Sequence, residues 1–179
     1  MKYLYTLLLC LYAVCTLAAQ DTKPFVQGSL QSILSTHQGK PFILALWSLD
    51  CSHCRDDLAL LGKLHQSHAE VEVVLVATDT PARHEEIEAV RKTYRLKHLE
   101  SWVYADTFTE RLRYEIDPQW YGELPRTYFF DAAGHALAIS GKFNRTQLMH
   151  WIREIAKINP SLGAGNLPVL ADVAKVLNV

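Results

Sequence analysis

The stretch from Gly39 to Arg55 reads GKPFILALWSLDCSHCR, and it decides the class of fold. Its apolar run, Phe42–Trp47, has the length of one strand without a polar interruption, which is typical of a strand buried on both faces. A second such run, rich in β-branched residues, follows at Val71–Ala77. Between them, apolar side chains recur at helical spacing, at Cys54, Leu58, Leu61 and Leu64 or His65. The sequence therefore predicts a right-handed strand–helix–strand unit, with two cysteines where the first strand gives way to the helix.

The rest of the chain continues an α/β pattern. We expect a helix over about 82–96, a short strand at 102–104, a short helix near 107–114 and a loop over 116–124, where Pro and Gly accumulate. Beyond Pro125, segments 127–130 and 135–140 flank Asp-Ala-Ala-Gly and predict an antiparallel hairpin. Asn144, with Gln147 three residues later, predicts the capped start of a last helix that Pro160 ends. One domain over 20–159, followed by a tail at 160–179, is the expected organisation.

Composition narrows the classes of function. The chain has 179 residues, which suits one ordinary domain plus a tail. Because 49% of the residues are hydrophobic and the formal net charge is only -1, the chain can bury a sizeable core and is not disordered. A sequence pI near 6.7 provides no basic field for a phosphate backbone, so nucleic acid is not the expected partner.

The first 19 residues predict export. A positive Lys2 precedes an uncharged, apolar stretch that ends in small residues, Ala18 and Ala19, before polarity returns. This order is typical of a secretory signal peptide, and an uncleaved membrane anchor is the alternative. If the segment is not cleaved, it is the only part of the chain that we expect to contact a membrane. Cleavage would remove Cys10 and Cys15 and leave one thiol pair, Cys51-Ser-His-Cys54, which closes into a disulfide in an oxidising compartment unless it is reduced.

The position of this pair predicts redox chemistry. If Cys51 lies in the first turn of the helix, unpaired backbone N–H groups favour its thiolate, the species that attacks disulfides. His53 would assist as a cation or donor, and Cys54, facing the core, would act as the resolving thiol. Asp50 opposes thiolate formation as a nearby negative charge, or it caps the helix by accepting a first-turn N–H.

Other uses of the pair fit less well. A disulfide across two residues closes a very small loop and stabilises little by chain entropy. Zinc or copper binding by Cys51 and Cys54 with a histidine is the main alternative, but His65 and His68 lack the spacing of a zinc finger. Haem attachment requires a histidine where Arg55 follows Cys54.

The 39–55 segment resembles the active-site strand and helix start of the thioredoxin superfamily, in particular the exported TlpA/ResA/DsbE-type thiol-disulfide oxidoreductases. The later stretch ELPRTYFFDAAG, Glu123 to Gly134, is similar to the cis-proline strand and hairpin of that family. The resemblance implies a thioredoxin-like α/β fold, a central mixed β-sheet flanked by helices. It also implies that Cys51 is the nucleophile, that Cys54 resolves the mixed disulfide, and that Pro125 is a cis residue facing them.

The same resemblance implies a periplasmic enzyme that reduces protein disulfides without a bound cofactor, with cytochrome c maturation as one role and a membrane electron donor as one partner. The direction of electron flow stays open at this point. A peroxidase of the peroxiredoxin kind is less favoured, because Leu44 and Ser48 stand where its cysteine motif has Pro and Thr.

This chain departs from the family at two positions that bear on the thiols. Asp50 stands where a tryptophan usually precedes the first cysteine, and Ala45 stands where thioredoxin has a buried acid. The sequence therefore shows no evident proton acceptor for Cys54, unless Asp79 or Glu123 supplies one. For substrate contact the candidates are Leu124, Trp47 and Trp120, together with the neighbouring Tyr121. The single histidines, at 37, 84, 98, 135 and 150, are expected to be solvated.

Overall fold

The protein folds around the two apolar runs. A computed structural model describes residues 22–158, so the predicted signal segment, 1–19, and the tail, 160–179, lie outside the described residues. The strands are β1 Lys23–Phe25, β2 Phe42–Trp47, β3 Glu72–Ala77, β4 Glu100–Tyr104, β5 Arg126–Phe130 and β6 Ala136–Ser140. The helices are α1 Ser29–Thr36, α2 Cys54–Ser67, α3 His84–Thr93, α4 Thr109–Ile116 and α5 Arg145–Ile158, and a short 3-10 turn spans Pro81–Arg83.

These strands form one mixed sheet in the order β1-β4-β3-β2-β5-β6. β2, β3, β4 and β1 run parallel, whereas β5 is antiparallel to β2 and β6 is antiparallel to β5. The predicted strand–helix–strand unit and the predicted hairpin are both confirmed. β1 and α1 were not expected from the sequence, because a three-residue strand and an eight-residue helix give little periodic signal.

Successive side chains of β2 point to opposite faces of the sheet and pack into two separate cores. Ile43, Ala45 and Trp47 face a core built with α2, α3 and α5, whereas Phe42, Leu44 and Leu46 face a core that includes residues of α1 and α4. Since all six side chains are buried, β2 is a central strand with helices on both faces. This arrangement confirms the thioredoxin-like α/β fold.

The start of α5 has the predicted capping box. The Gln147 N–H donates to the Asn144 side-chain oxygen over 2.9 Å, and the Asn144 N–H donates to the Gln147 side-chain oxygen over 2.8 Å. Each side chain therefore satisfies a backbone donor that the helix leaves unpaired. The helix lays Leu148, Trp151 and Ile152 into the core, as its spacing predicts.

A buried histidine joins α1 to the sheet. The prediction that His37 is solvated is wrong, since the residue is 8% exposed and stacks on Phe42. Its ring nitrogens lie 3.2 Å from a Glu100 carboxylate oxygen and 2.5 Å from a Glu72 carboxylate oxygen. The hydrogen bond to Glu100 raises the pKa of His37, and in return it lowers the pKa of Glu100 to about 2.

Candidate active site

The thiol pair lies where β2 ends and α2 begins. α2 starts at Cys54, so the expectation that Cys51 occupies the first helical turn is wrong by three residues. The chain first makes a turn, in which the Cys51 N–H donates to the Ser48 carbonyl oxygen over 3.2 Å. The Cys51 sulfur nevertheless accepts the Cys54 N–H at 3.1 Å, so the sulfur is still held at the amino-terminal end of the helix.

The two sulfurs are bonded to each other and differ in access. Cys51 and Cys54 form a disulfide with their Cα atoms 5.4 Å apart. Cys54 is fully buried in the core shared by α2 and α3, whereas Cys51 is partly exposed. Only the Cys51 sulfur is therefore open to an incoming thiolate or disulfide, which is the asymmetry that a nucleophile and a resolving thiol need.

Asp50 does not cap the helix. That expectation is wrong, because no side chain caps the start of α2 and the Asp50 carboxylate instead accepts a hydrogen bond from Arg83 Nη1 at 2.8 Å. Arg83 lies at the end of the 3-10 turn that follows β3. The displaced helix start explains the change: Asp50 is four residues before Cys54, too far back to reach the first-turn amides.

Asp79 supports the turn that precedes the thiols. Its buried carboxylate accepts the Leu49 N–H at 2.9 Å and the Ser48 hydroxyl at 3.2 Å, and it receives a further 3.2 Å contact from Arg83 Nη1. The Asp79 carboxylate is therefore hydrogen-bonded to the segment that directly precedes Asp50 and Cys51. Glu123, the other acid expected near Cys54, accepts the Ser140 hydroxyl at 2.8 Å, and this hydrogen bond lowers its pKa.

A different acid lies near Cys54, and the sequence reasoning missed it. Asp57 is one helical turn beyond Cys54 on the same helix, and it is 3% exposed. Neither of its carboxylate oxygens has a hydrogen-bond partner among the described residues. Burial raises the pKa of Asp57 to about 7, and the approach of the Phe143 backbone N–H, short of hydrogen-bond geometry, opposes the rise only partly.

A signal for Asp57 was present in the sequence. The residue is three positions after Cys54 and directly precedes Leu58, so it falls on the apolar stripe that predicts the helix. A carboxylate on a buried stripe is costly, and such a position indicates an acid with a perturbed pKa. At neutral pH a group of this kind exchanges its proton readily, which suits it to proton transfer beside a buried thiol.

Pro125 lies at the same end of the sheet as the thiols. The Leu124–Pro125 peptide bond is cis. The next residue, Arg126, pairs with Leu46, so Pro125 reaches the level at which β2 ends and the chain turns toward Cys51. Leu124 is partly exposed and packs against both cores.

The aromatic side chains near this edge divide between core and surface. Trp47 is 1% exposed and Trp120 is 4% exposed, so both rings pack inside the protein. The Trp120 indole N–H donates to the Glu123 carbonyl oxygen over 2.8 Å, which fixes the loop before Leu124. Tyr121 is 86% exposed and is the ring of this loop that a partner protein can reach.

The histidines proposed for a metal site are remote from the thiols. His65 lies eleven residues after Cys54 on α2, which places it about 16 Å along the helix axis. Over the range 22–158, no group of three or more His, Cys, Asp or Glu side chains is arranged to hold a metal ion.

Comparisons with known proteins agree with this fold. The model of the AhpC/TSA family matches residues 21–137, and the chain belongs to that family. Membership confirms the predicted superfamily and the class of enzyme, a thiol-disulfide oxidoreductase. No curated protein matches the chain in sequence.

Several solved structures share the fold. A secreted disulfide oxidoreductase of Mycobacterium tuberculosis, homologous to E. coli DsbE, is 20% identical, with a TM-score of 0.53 over 65% of this chain and 83% of that chain. A thiol:disulfide interchange protein of the thioredoxin family from Chlorobium tepidum is 15% identical, with a TM-score of 0.55 over 67% and 82%. The thioredoxin domain of a thiol-disulfide oxidoreductase from Bacteroides vulgatus is 17% identical, with a TM-score of 0.53 over 67% and 81%.

Proposed function

We propose that this protein is an exported enzyme that reduces disulfides in protein substrates through Cys51 and Cys54. The observation that carries the proposal is the pair of unequal sulfurs at the start of α2: one is partly exposed, the other is fully buried, and the two are bonded. An exposed sulfur can form a mixed disulfide with a large partner, and a buried neighbour can then release that partner.

The reaction balances as two exchanges. In the dithiol form, the Cys51 thiolate attacks one sulfur of a substrate disulfide, forms a mixed disulfide and expels the other substrate sulfur as a thiolate that takes up a proton. Cys54 then loses its proton and attacks the Cys51 sulfur, which forms the Cys51–Cys54 disulfide and releases the second substrate thiol. The substrate gains two electrons, and a dithiol donor must return two electrons to the enzyme.

Asp57 is the group we propose for the proton of Cys54. It is buried, lies one turn beyond Cys54 on α2, and has a pKa of about 7. A carboxylate with this pKa can accept the thiol proton as Cys54 attacks and can return it when the disulfide is reduced. Asp79 and Glu123 are less suited to this role, because their carboxylates are committed to other donors.

The charges around Cys51 favour a reductant. Three carboxylates, Asp50, Asp79 and Glu86, share the guanidinium of Arg83, so negative charge is in excess on this side of the site. Excess negative charge disfavours the Cys51 thiolate, which destabilises the dithiol form and lowers the reduction potential. A positive charge on His53 would act in the opposite sense, and the reduction potential measures the sum of these effects.

Export and the role in the cell belong to the same proposal. The sequence of residues 1–19 supports a signal peptide or anchor, and the similar structure from Mycobacterium tuberculosis is of a secreted enzyme. In the part of the chain that the structure describes, no helix has the length and apolar character to cross a bilayer. We propose a periplasmic location, a membrane protein as electron donor, and apocytochrome c as one substrate class.

For substrate contact we propose the Leu124 backbone and the exposed ring of Tyr121, both on the loop that leads into Pro125. Trp47 and Trp120 would contribute from beneath the surface, by shaping the site and by fixing that loop.

The test is trapping of the mixed disulfide. The Cys54→Ser variant should accumulate a covalent complex with a disulfide-bonded protein such as insulin, linked through Cys51, because the resolving step is removed. Cys51→Ser should form no complex, since its remaining thiol is buried. Peptide mass spectrometry identifies the linked cysteine. Equal trapping by both variants, or linkage through Cys54, would refute the assigned roles.

A further inference from the structure

Arg83 connects the residue before the nucleophile to two other acids. Its Nη1 donates to Asp50 at 2.8 Å and to Asp79 at 3.2 Å, and its Nε donates to Glu86 at 2.9 Å. These contacts raise the pKa of Arg83, the hydrogen bond to Glu86 most and that to Asp50 next. The guanidinium is therefore a permanent positive charge fixed beside the turn that carries Cys51.

We propose that Arg83 is a positioning residue that controls the acidity of Cys51 by holding and offsetting the charge of Asp50. The inference rests on the proposed function, in which Cys51 is the attacking thiol. It adds a residue from the 3-10 turn after β3 to the redox site, 33 positions along the chain from Asp50.

The need for such a residue follows from the place of Asp50. Asp50 directly precedes Cys51 in the sequence, and its side chain is 79% exposed. Without a partner, this negative charge would be free to approach the sulfur and would oppose loss of the thiol proton. The ion pair holds the carboxylate against Arg83, next to the start of α3, so a positive charge accompanies the negative one and opposes its effect on the sulfur.

Other charged groups face the same turn. His53 and Arg55 follow Cys51, and Arg55 Nη2 donates to the Leu49 carbonyl oxygen over 3.2 Å. Asp79 and Glu86 approach from the β3 side. Among these groups, Arg83 is bonded to the acid adjacent to the nucleophile, so a change at Arg83 acts on Cys51 most directly through Asp50.

Arg83 is not required to build the turn. Asp79 already accepts the Leu49 N–H and the Ser48 hydroxyl, and Cys51 donates its N–H to the Ser48 carbonyl. These hydrogen bonds survive when Arg83 is replaced. An electrostatic effect of Arg83 on the pKa of Cys51 can therefore be separated from a structural effect on the turn.

The experiment measures the pKa of the Cys51 thiol in the reduced full chain, from the pH dependence of its alkylation rate, with the modified Cys51 identified by peptide mass spectrometry. Arg83→Gln should raise this pKa and lower the thiolate fraction at a fixed pH by about threefold to tenfold, as expected for one charge removed near the surface. Asp50→Asn should raise the thiolate fraction by a similar factor. In the double variant the thiolate fraction should return to within about twofold of the wild-type value, because both of the opposed charges are then absent.

Two further variants serve as controls. Arg83→Lys keeps the charge and should stay close to the wild type. Lys23→Gln removes one positive charge on the edge strand β1, three strands away from β2, where Lys23 pairs with Glu100, and it should leave the Cys51 pKa unchanged. Elevated ionic strength should shrink the Arg83→Gln effect.

The inference fails if Arg83→Gln leaves the pKa unchanged, or if Asp50→Asn does not reverse its effect. The second result would assign Arg83 a structural role. Insulin reduction by the wild type separates this failure from failure of the proposed function: an active wild-type enzyme with a Cys51 pKa insensitive to Arg83 refutes only the role of Arg83.

Discussion

Replacing Asp57 by asparagine should stabilise the protein at neutral and alkaline pH. The substitution keeps the size of the side chain and removes a charge that the fold does not compensate. Asp57 is 3% exposed, and neither carboxylate oxygen has a hydrogen-bond partner in the region that the structure describes. A buried acid that lowers stability is typical of a functional group.

The size of the effect follows from the pKa. Burial raises the pKa of Asp57 from 3.8 to about 7, so the folded protein holds this proton over a range in which the unfolded chain has lost it. The free energy of unfolding therefore falls as pH rises from about 4 to about 7 and is level above that. At about 1.4 kcal/mol for each pKa unit, ionised Asp57 costs about 4 kcal/mol.

Urea denaturation of the disulfide form at pH 4 and at pH 8 measures this cost. Asp57→Asn should match the wild type at pH 4 and exceed it by about 4 kcal/mol at pH 8. The control is Asp56→Asn at the neighbouring position, where the side chain is 64% exposed and pairs with Lys142, and it should change stability by less than about 1 kcal/mol at either pH. An Asp57→Asn variant that is less stable than the wild type at pH 8 would refute the assignment of a buried, uncompensated acid.

Three other substitutions test the packing and the electrostatics of the fold. Gly62→Ala should destabilise by about 1 to 3 kcal/mol in urea denaturation, because the added methyl would lie 2.1 Å from the backbone oxygen of Tyr94; a gain of stability, as alanine normally gives in a helix, would contradict this packing. Glu100 raises the pKa of His37, so the stabilising contribution of His37 is complete below pH 6.5 and is lost as pH rises through its folded-state pKa. In an Asp57→Asn background, His37→Gln should abolish this pH dependence of the free energy of unfolding. If the free energy of unfolding still fell over the same pH range, His37 would not be its source. Asn144→Ala should cost about 1 kcal/mol through loss of the capping box, and unchanged thermal unfolding would show that the cap contributes nothing.

The central part of the fold could be predicted from the sequence because its signals are local. Phe42–Trp47 is a continuous apolar segment, the run at 71–77 is interrupted only by Glu72, and the helix between them has a clear apolar stripe. β1 and α1 could not be predicted in the same way. β1 exists because Lys23–Phe25 pairs with β4, a contact between segments about eighty residues apart that no local pattern contains.

The site was predictable in part for the same reason. Cys51 and Cys54 are separated by only two residues in the sequence, and this spacing indicates a redox pair. The partner of Asp50 depends on where β3 ends, so the ion pair with Arg83 appears only in the three-dimensional structure. The start of α2 was misplaced because boundaries depend on the capping geometry of a few residues.

A redox titration of the full chain tests the central claim most directly. The protein is equilibrated in glutathione buffers of graded potential, the free thiols are alkylated, and the oxidised fraction of the Cys51–Cys54 peptide is measured by mass spectrometry. The account predicts one reversible two-electron transition with a midpoint below about -200 mV, in the range of a reductant. A midpoint near about -120 mV would reverse the proposed direction of electron flow, and a disulfide that is never reduced, or two cysteines that react independently, would contradict the redox site itself.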